Sequence, residues 1–454
     1  MTDQAPSASE IASPTSRRKF QFSLRFFLLA TVVMAGVLVL GIKRAEECSD
    51  EAKIVEELQA AGVRIDKLPQ PSTALKKIFG ERFSKQTFSV SLWPDDLEHL
   101  DKLTELEKVE TISVRGGENS DLTAFSNFQN LESLTLNGVW ALKSLDGIEH
   151  LQNLKILELG DAVHVVTAKP LASLKKLEEL RFFNHDGDTC SFEDLDEVLH
   201  EMPGLKSFIA YECPVKSLEA FSDCKNLEHL ELWLDASGIT SIEVLEDLPR
   251  FRSLDLSDPG EIEDWQTLGS MTELINLRVS GFPAESLEFL NKLKKLKSLD
   301  LMTSQQLLTQ DGKSWGKALE PMLSLPQLEK LNISWREIEA LDERFSLERF
   351  SQLRELTIRS GYSRQVNLSR LSAIPSLKKL HLRTMSGLNS LDGIELLGSL
   401  KELRIHACSE LSDIKSLKQL VSLEKVGIFA CSKIPPPQIT NLKTALPNAV
   451  IKAY

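Results

Sequence analysis

The stretch SLDGIEHLQNLKILELG, residues Ser144–Gly160, returns 246 residues later as SLDGIELLGSLKELRIH, residues Ser390–His406. The two copies share an Asp-Gly pair that is followed by leucine or isoleucine at fixed offsets. A duplicated catalytic loop would instead repeat nucleophiles, bases or metal ligands. The repetition therefore indicates a repeated structural unit and not a duplicated catalytic site.

Both copies belong to a longer series of segments that follow the frame L-x-x-L-x-x-L-x-L. Fourteen segments fit this frame, and successive segments start 22 to 32 residues apart. They begin at Leu106, Phe128, Leu151, Leu174, Met202, Cys224, Leu248, Met271, Leu293, Leu325, Phe350, Ile374, Leu397 and Leu420. A period of this length indicates a tandem array in which each unit contributes one short strand.

The L-x-L end of each segment predicts where its side chains point. Leu134 and Leu136 face the core because strand side chains alternate with period two, and Thr135 between them faces outward. By the same alternation, Leu299 is expected in the core and Asp300 at the surface. A helical period of 3.6 residues does not generate L-x-L, which excludes an array of amphipathic helices.

Stacked units of this kind bury one continuous apolar core. The sequence therefore predicts an α/β solenoid of about 14 repeats. A parallel β-sheet is expected on the concave face and short 3₁₀ or α turns on the convex face, with one transmembrane helix before the repeats.

The units resemble bacterial leucine-rich repeats. SLDGIEHLQNL from Ser144 and SDIKSLKQLVSL from Ser412 are similar to internalin-type units with a 3₁₀ turn on the convex side. The basic RRKFQFSLRFFLL from Arg17 and FGERFSKQTFSVSL from Phe79 resemble the membrane-anchored leucine-rich repeat proteins of planctomycete bacteria. The resemblance implies a fold and a location, and it brings no assigned activity.

Residues 26–42, FFLLATVVMAGVLVLGI, form an uncharged span. Its length is at the short end of the transmembrane range and exceeds that of a secretory h-region. More cationic residues precede the span than follow it, namely Arg17, Arg18, Lys19 and Arg25 against Lys43 and Arg44. This bias predicts a single-pass membrane protein with a cytoplasmic N-terminus and extracytoplasmic repeats.

Five regions follow from these patterns. They are a disordered cytoplasmic tail (1–22), a transmembrane signal-anchor helix (23–42), a juxtamembrane helix with an N-terminal cap (43–96), the leucine-rich repeats (97–434) and a C-terminal cap (435–454). Helices are predicted in EAKIVEELQAAGV from Glu51, in SFEDLDEVLHEM from Ser191, and in NLKTALPNAVIKAY from Asn441, which also predicts a short last strand. Pro435, Pro436 and Pro437 are expected to stop the repeat pattern.

Charge and motifs argue against several function classes. The net charge is −13, and because residues 1–44 carry +4, the remainder carries −17, which disfavours nucleic acid as a partner. Gly312-Lys313-Ser314 resembles the end of a phosphate loop, but Leu307 replaces the first glycine. His381 and His406 lack further ligands at metal-binding spacing. We predict no catalytic, cofactor or metal site and no enzyme activity.

Cysteine spacing leaves one question open. Cys408 and Cys431 occupy the same position in consecutive units and are expected side by side. A disulfide between them is possible, although neighbouring cysteines in such a core are more often reduced. Cys224 takes the place of a core leucine.

Binding is therefore expected on the outward strand positions. Phe183, Tyr211 and Trp233, here called the aromatic strip, are consecutive in one column, with Glu231 and Asp255 beside them. The hypothesis is that an apolar segment of a protein partner lies across the strip while the two acids select a basic neighbour. The alternative is that the helix or loop at residues 184–200 covers the aromatic rings.

A second candidate lies toward the C-terminal end and is here called the basic patch. It comprises Arg359, Lys379, His381, Arg383, Arg404 and His406. The alternative is that these charges only solvate the sheet.

Taken together, the sequence predicts a membrane-anchored protein that binds another protein in the cell envelope. Alternatives are a structural envelope protein with many weak lateral contacts and, less favoured, an enzyme.

Overall fold

The structure is a computed structural model. It describes residues 49–68, 87–106, 108–118, 120–184, 191–212, 215–233, 239–257, 262–282, 287–303, 319–335, 337–338, 346–359 and 366–453, with Val32, Val39, Lys43, Glu46 and Glu47. The predicted tail, nearly all of the predicted membrane anchor and the Gly312-Lys313-Ser314 segment lie outside the described residues. Within the described part, no helix combines the length and the apolar character needed to cross a bilayer.

The described residues contain one sheet of 17 strands. Strand β1 is antiparallel to β2, and each later strand is parallel to the one before it. The strands are β1 (Arg64–Lys67), β2 (Phe88–Leu92), β3 (Val109–Arg115), β4 (Ser133–Asn137), β5 (Ile156–Gly160), β6 (Glu179–Phe183), β7 (Ser207–Tyr211), β8 (His229–Trp233), β9 (Ser253–Ser257), β10 (Asn276–Phe282), β11 (Ser298–Thr303), β12 (Lys330–Ser334), β13 (Glu355–Arg359), β14 (Lys379–Arg383), β15 (Glu402–His406), β16 (Lys425–Phe429) and β17 (Val450–Ala453).

Each leucine-spaced segment contains one strand, from β3 to β16. Like positions pair with like, as in Leu134 with Leu157 and Thr135 with Glu158. Leu134 and Leu136 are buried and Thr135 is half-buried, so the predicted alternation is confirmed. The side chains between the buried positions form the outward face of the sheet, here called the strand face.

Short helices lie in the turns that connect the strands. Among the described residues, the 3₁₀ helices are Pro94–His99, Thr123–Phe125, Ile148–His150, Lys169–Ser173, Leu218–Phe221, Glu243–Asp247, Trp265–Ser270, Glu288–Lys292, Glu320–Ser324, Leu347–Arg349, Leu368–Ala373, Ile394–Leu396 and Lys415–Gln419. The described residues also include the α-helices α1 (49–60), which precedes β1, α2 (Leu100–Leu103), α3 (Leu195–His200) and α4 (Pro436–Ala445). The predicted 3₁₀ turns and the helices in the Glu51 and Ser191 segments are confirmed.

The C-terminal helix begins earlier than the sequence suggested. Pro436 and Pro437 are the first two residues of α4 rather than a break before it. Proline is tolerated there because the first amide groups of a helix have no partner within the helix, and its fixed φ suits the first turn. Leu442 of α4 packs into the core, and β17 then pairs with β16.

The Asp-Gly pairs of the two matching stretches form tight approaches between neighbouring units. Gly147 and Gly393 have φ angles of +100° and +91°. A Cβ on Gly147 would lie 2.6 Å from backbone atoms of Leu122 and Thr123, and one on Gly393 would lie 2.5 Å from the backbone nitrogen of Ser369. Only glycine fits both the angle and the space.

Several strands end at a residue in the left-handed conformation. Residues Asp161, Glu212, Thr384, Ala407 and Ala430 have φ between 52° and 61° and follow β5, β7, β14, β15 and β16 directly. This conformation turns the chain, and after Asp161, Thr384, Ala407 and Ala430 the next residue enters the core. These next residues are Ala162, Met385, Cys408 and Cys431, and all four are buried.

Candidate functional site

The structure brings the aromatic strip together. Phe183, Tyr211 and Trp233 are register partners at the ends of β6, β7 and β8. The ring centroids of Phe183 and Tyr211 are 4.9 Å apart with the planes at 76°, and those of Tyr211 and Trp233 are 4.7 Å apart at 28°. Trp233 is 39% exposed, and the other two rings are half-buried.

The rings contact one another along the sheet, edge to face between Phe183 and Tyr211 and stacked between Tyr211 and Trp233. Tyr211 stacks on Trp233 from β7, while the guanidinium of Arg278 on β10 lies 5.6 Å from the centroid of the Trp233 ring. Such cation–π contacts are attractive. Side chains from strands on both sides of β8 therefore contact the indole, and the exposed part of the ring is what a ligand can reach.

Glu231 holds the middle of the strip in place. Its Oε1 accepts a 2.6 Å hydrogen bond from the Tyr211 hydroxyl, and its Oε2 lies 3.5 Å from Nε2 of His229. The contact with His229, together with the Tyr211 hydroxyl, lowers the pKa of Glu231. Burial and the neighbouring Glu231 carboxylate raise the pKa of Tyr211, so its hydroxyl stays a donor.

Arg278 links the strip to a row of buried acids. Its Nη1 donates to Asp255 Oδ2 at 3.1 Å, and its Nε lies 3.3 Å from Asp300 Oδ2. Asp255 is only 9% exposed, and burial raises its pKa to about 6 although Arg278 opposes the shift. Burial also raises the pKa of Asp300.

Asp300 points outward, as the alternation predicted, but it is not a free surface carboxylate. Its Oδ2 accepts hydrogen bonds from Asn332 Nδ2 at 2.8 Å and Arg359 Nη2 at 3.2 Å, in addition to the contact with Arg278. Only 14% of its side chain is exposed because these neighbours converge on it. The expectation of an ordinary surface position at Asp300 is wrong.

The two acids beside the strip, Glu231 and Asp255, both contact other residues of the protein. Glu231 orients Tyr211, and Asp255 neutralises Arg278 where that residue packs against Trp233. Selection of a basic neighbour by Glu231 and Asp255 stays a prediction. The nearly covered Asp255 offers little surface for it.

Helix α3 does not cover the strip. It packs in the turn layer, beside the 3₁₀ helices of the units before and after it, with Leu195 and Leu199 buried. Asp194, just before α3, accepts hydrogen bonds from Thr167 Oγ1 at 2.5 Å and the Ala168 amide at 2.6 Å. The loop in the alternative, residues 185–190, lies outside the described residues.

The basic patch spans β13, β14 and β15. Arg359, Arg383 and His406 are register partners, and His381 pairs with Arg404 in the adjacent column. Three of its members have acidic partners: Arg359 with Asp300 at 3.2 Å, Lys379 with Glu355 at 3.6 Å and Arg404 with Glu402 at 2.7 Å. Burial, followed by the charge of Arg404, lowers the pKa of His381 and favours its neutral form. The exposed Arg383 and His406 form no ion pair with any described residue.

Two features near the strand face were not predicted from the sequence. Arg278 was not predicted as a site residue, although it stands in one column with Glu231, Asp255 and Asp300. A single cation among three acids in that column could have indicated an ion pair. Trp93 and Trp140 are 57% and 43% exposed near the N-terminal end, with Arg115 5.7 Å from the centroid of the Trp93 ring. They lie just beyond strand ends, outside the columns that the frame predicts.

Leucine-spaced units, one parallel strand for each unit and short 3₁₀ turns define the architecture. The fold is a leucine-rich repeat solenoid. No family model and no curated protein matches the sequence.

Solved structures similar to the chain include two from bacteria. A leucine-rich repeat protein of Leptospira interrogans is 17% identical, with a TM-score of 0.43 over 82% of this chain and 91% of that one. An internalin of Listeria monocytogenes is 17% identical, with a TM-score of 0.42 over 78% of this chain and 92% of the internalin. A plant peptide hormone receptor in complex with its peptide is 13% identical, with a TM-score of 0.37 over 76% and 72%.

Proposed function

We propose that the protein binds another protein through the strand face, with the aromatic strip as the centre of contact. The supporting observation is that Phe183, Tyr211 and Trp233 contact one another on consecutive strands, and that Glu231 and Arg278 already contact Tyr211 and Trp233 in the free protein. Aromatic side chains dominate binding hot spots because they contribute a large contact area at little cost in conformational entropy.

The orientation of the rings favours an extended apolar segment as the ligand. Ring edges carry partial positive charge, so they attract carbonyl oxygens of a peptide backbone and the sulfur of methionine. The aromatic strip also loses little conformational freedom on binding, since its ring contacts exist in the free protein. In this proposal Glu231 and Asp255 favour a basic residue beside the apolar segment, with Glu231 the more accessible of the two.

Replacing Trp233 with alanine should weaken partner binding by at least about 2 kcal/mol, roughly a 30-fold rise in Kd. The partner is obtained by affinity capture from envelope extracts with the full chain as bait, and its Kd is then measured by calorimetry. The urea midpoint should stay nearly unchanged because the indole is partly exposed at the surface.

Trp140→Ala is the matched control, since Trp140 is 43% exposed and follows β4, four strands before the β8 strand of Trp233. Its Kd should equal that of the unmodified protein. Undiminished binding by the Trp233 variant would overturn the assignment of the strip, and the basic patch around Arg383 and Arg404 would be the next surface to test.

We also propose that a helix over residues 23–42 anchors the protein in the membrane and that the repeats lie outside the cytoplasm. The uncharged span at residues 26–42 and its flanking cations support this proposal, together with the resemblance to membrane-anchored planctomycete proteins. An extracytoplasmic position would expose the strand face to partners in the cell envelope.

Protease added to intact cells should remove the repeats while an epitope placed before Met1 stays protected. Outer layers are first made permeable without lysis, and a cytoplasmic protein serves as the control for an intact inner membrane. Digestion of the repeats only after lysis would refute the orientation. A mature chain that starts near Ala45 would show cleavage instead of anchoring.

A further inference from the structure

Cys408 and Cys431 lie at equivalent points in neighbouring units. Each follows a strand-end residue in the left-handed conformation, Ala407 with φ 54° and Ala430 with φ 52°. The Ala407 amide donates to the Phe429 carbonyl at 2.9 Å, so backbone pairing continues to the residue before the cysteine. Neighbouring parallel strands are about 4.8 Å apart, which is within the Cα separation that a disulfide spans.

The two thiols are free and lie close enough for each to affect the titration of the other. Cys431 Sγ also lies 3.2 Å from the Phe429 carbonyl oxygen, and Cys408 Sγ lies 3.7 Å from that of His406. Cys408 has no exposed surface, whereas Cys431 is 9% exposed. Interaction with the Cys408 thiol lowers the pKa of Cys431, while the same interaction and burial raise the pKa of Cys408. Cys431 is therefore the thiol that an external reagent reaches first and the better source of a thiolate.

Cys224 shows what a purely structural cysteine looks like in this fold. It is fully buried, and its Sγ lies 3.4 Å and 3.6 Å from the carbonyl oxygens of Leu199 and Met202. Burial raises its pKa to about 12. It has neither access to solvent nor a thiol neighbour among the described cysteines.

We propose that Cys408 and Cys431 form a thiol–disulfide exchange site that takes a low-molecular-weight disulfide as its co-reactant and closes an intramolecular disulfide. The Cys431 thiolate attacks one sulfur of the co-reactant, forms a mixed disulfide and releases one thiol. Cys408 then loses its proton and attacks Cys431 Sγ, which displaces the second thiol. Two electrons and two protons pass from the protein to the co-reactant.

The new bond joins the last two leucine-spaced units at the ends of β15 and β16, two residues beyond His406 and Phe429. In a solenoid each unit contacts only its neighbours, so the ends open most easily. A covalent link there would keep the C-terminal units paired. This inference is independent of the proposed binding function, because it concerns the strand ends and the core.

The test treats the reduced, native full chain with oxidised glutathione, alkylates the remaining thiols and digests the protein with trypsin. Mass spectrometry should find residues 405–415 disulfide-linked to residues 426–433, which hold Cys408 and Cys431. Cys431 should be consumed at least tenfold faster than Cys224. Failure to form the linked peptide under native conditions, or a stable glutathione adduct on Cys431 in the unmodified sequence, would overturn the proposal.

Single variants separate the two steps. Cys408→Ala should retain glutathione on Cys431, because the resolving thiol is gone. Cys431→Ala should leave Cys408 unmodified, because that thiol is buried. Modification of Cys408 at an unchanged rate in the Cys431 variant would refute the assignment of Cys431 as the entry point. Cys224→Ala is the matched control and should yield as much linked peptide as the unmodified chain.

Discussion

Replacing Gly393 with alanine should lower the free energy of unfolding by about 2 to 5 kcal/mol. The left-handed backbone at φ +91° disfavours any residue with a Cβ, and the added carbon would lie 2.5 Å from the Ser369 backbone nitrogen. A flexible side chain could move away from such a contact, but this backbone belongs to the neighbouring unit. The change is measured by urea denaturation followed by circular dichroism.

Gly398→Ala is the matched control in the same unit. No heavy atom lies within 4 Å of a Cβ at Gly398, and its backbone is not left-handed. Its substitution should change the free energy of unfolding by less than about 0.5 kcal/mol, or raise it slightly by restricting the unfolded chain. Gly147→Ala should repeat the large loss. Equal effects at Gly393 and Gly398 would show that the turn tolerates a side chain.

Leu299→Ala should also lower the free energy of unfolding by about 2 to 5 kcal/mol, through lost transfer energy and the cavity left behind. Leu299 is 1% exposed on β11, where Leu277 and Leu331 of the neighbouring strands pair with it in the sheet. A parallel ladder has little freedom to collapse into the space, because each strand is fixed by hydrogen bonds on both sides.

Leu396→Ala removes the same atoms from a side chain that is 58% exposed and should cost less than about 0.5 kcal/mol. Asp300→Ala, which sequence alternation alone would suggest as a neutral control, should not behave as one. It would leave Arg278 and Arg359 without a carboxylate that both contact. A loss at Leu396 as large as that at Leu299 would contradict the assignment of the core.

The path of the chain could be predicted because it depends on period and alternation. Leu134 and Leu136 define the buried face of a strand, and recurrence of the same frame sets the register of its neighbours. The consecutive positions of Phe183, Tyr211 and Trp233 follow from that register. Proline at the start of α4 was also accessible from the sequence, since proline favours the first helical turn.

Contacts between side chains could not be predicted in the same way. The frame places Tyr211, Glu231 and Arg278 on the strand face, but rotamers decide that the Tyr211 hydroxyl reaches Glu231 and that Arg278 lies between two aspartates. The approach of Gly393 to Ser369 depends on the backbone of another unit. The Asp-Gly pair therefore reveals a turn and not how closely that turn packs.

Apart from one shift after Ser280 of β10, like positions stay paired from β8 to β14, so distance along the strand face can be counted in strand steps. Trp233 and Arg383 are six strand steps apart, about 29 Å at about 4.8 Å for each step. Adding or removing one unit between them would change that span by one step and leave both groups intact, because each unit contacts only its neighbours. The separation between the aromatic strip and the basic patch can therefore change only in steps of one strand spacing. Such a change would leave the side chains of both surfaces as they are.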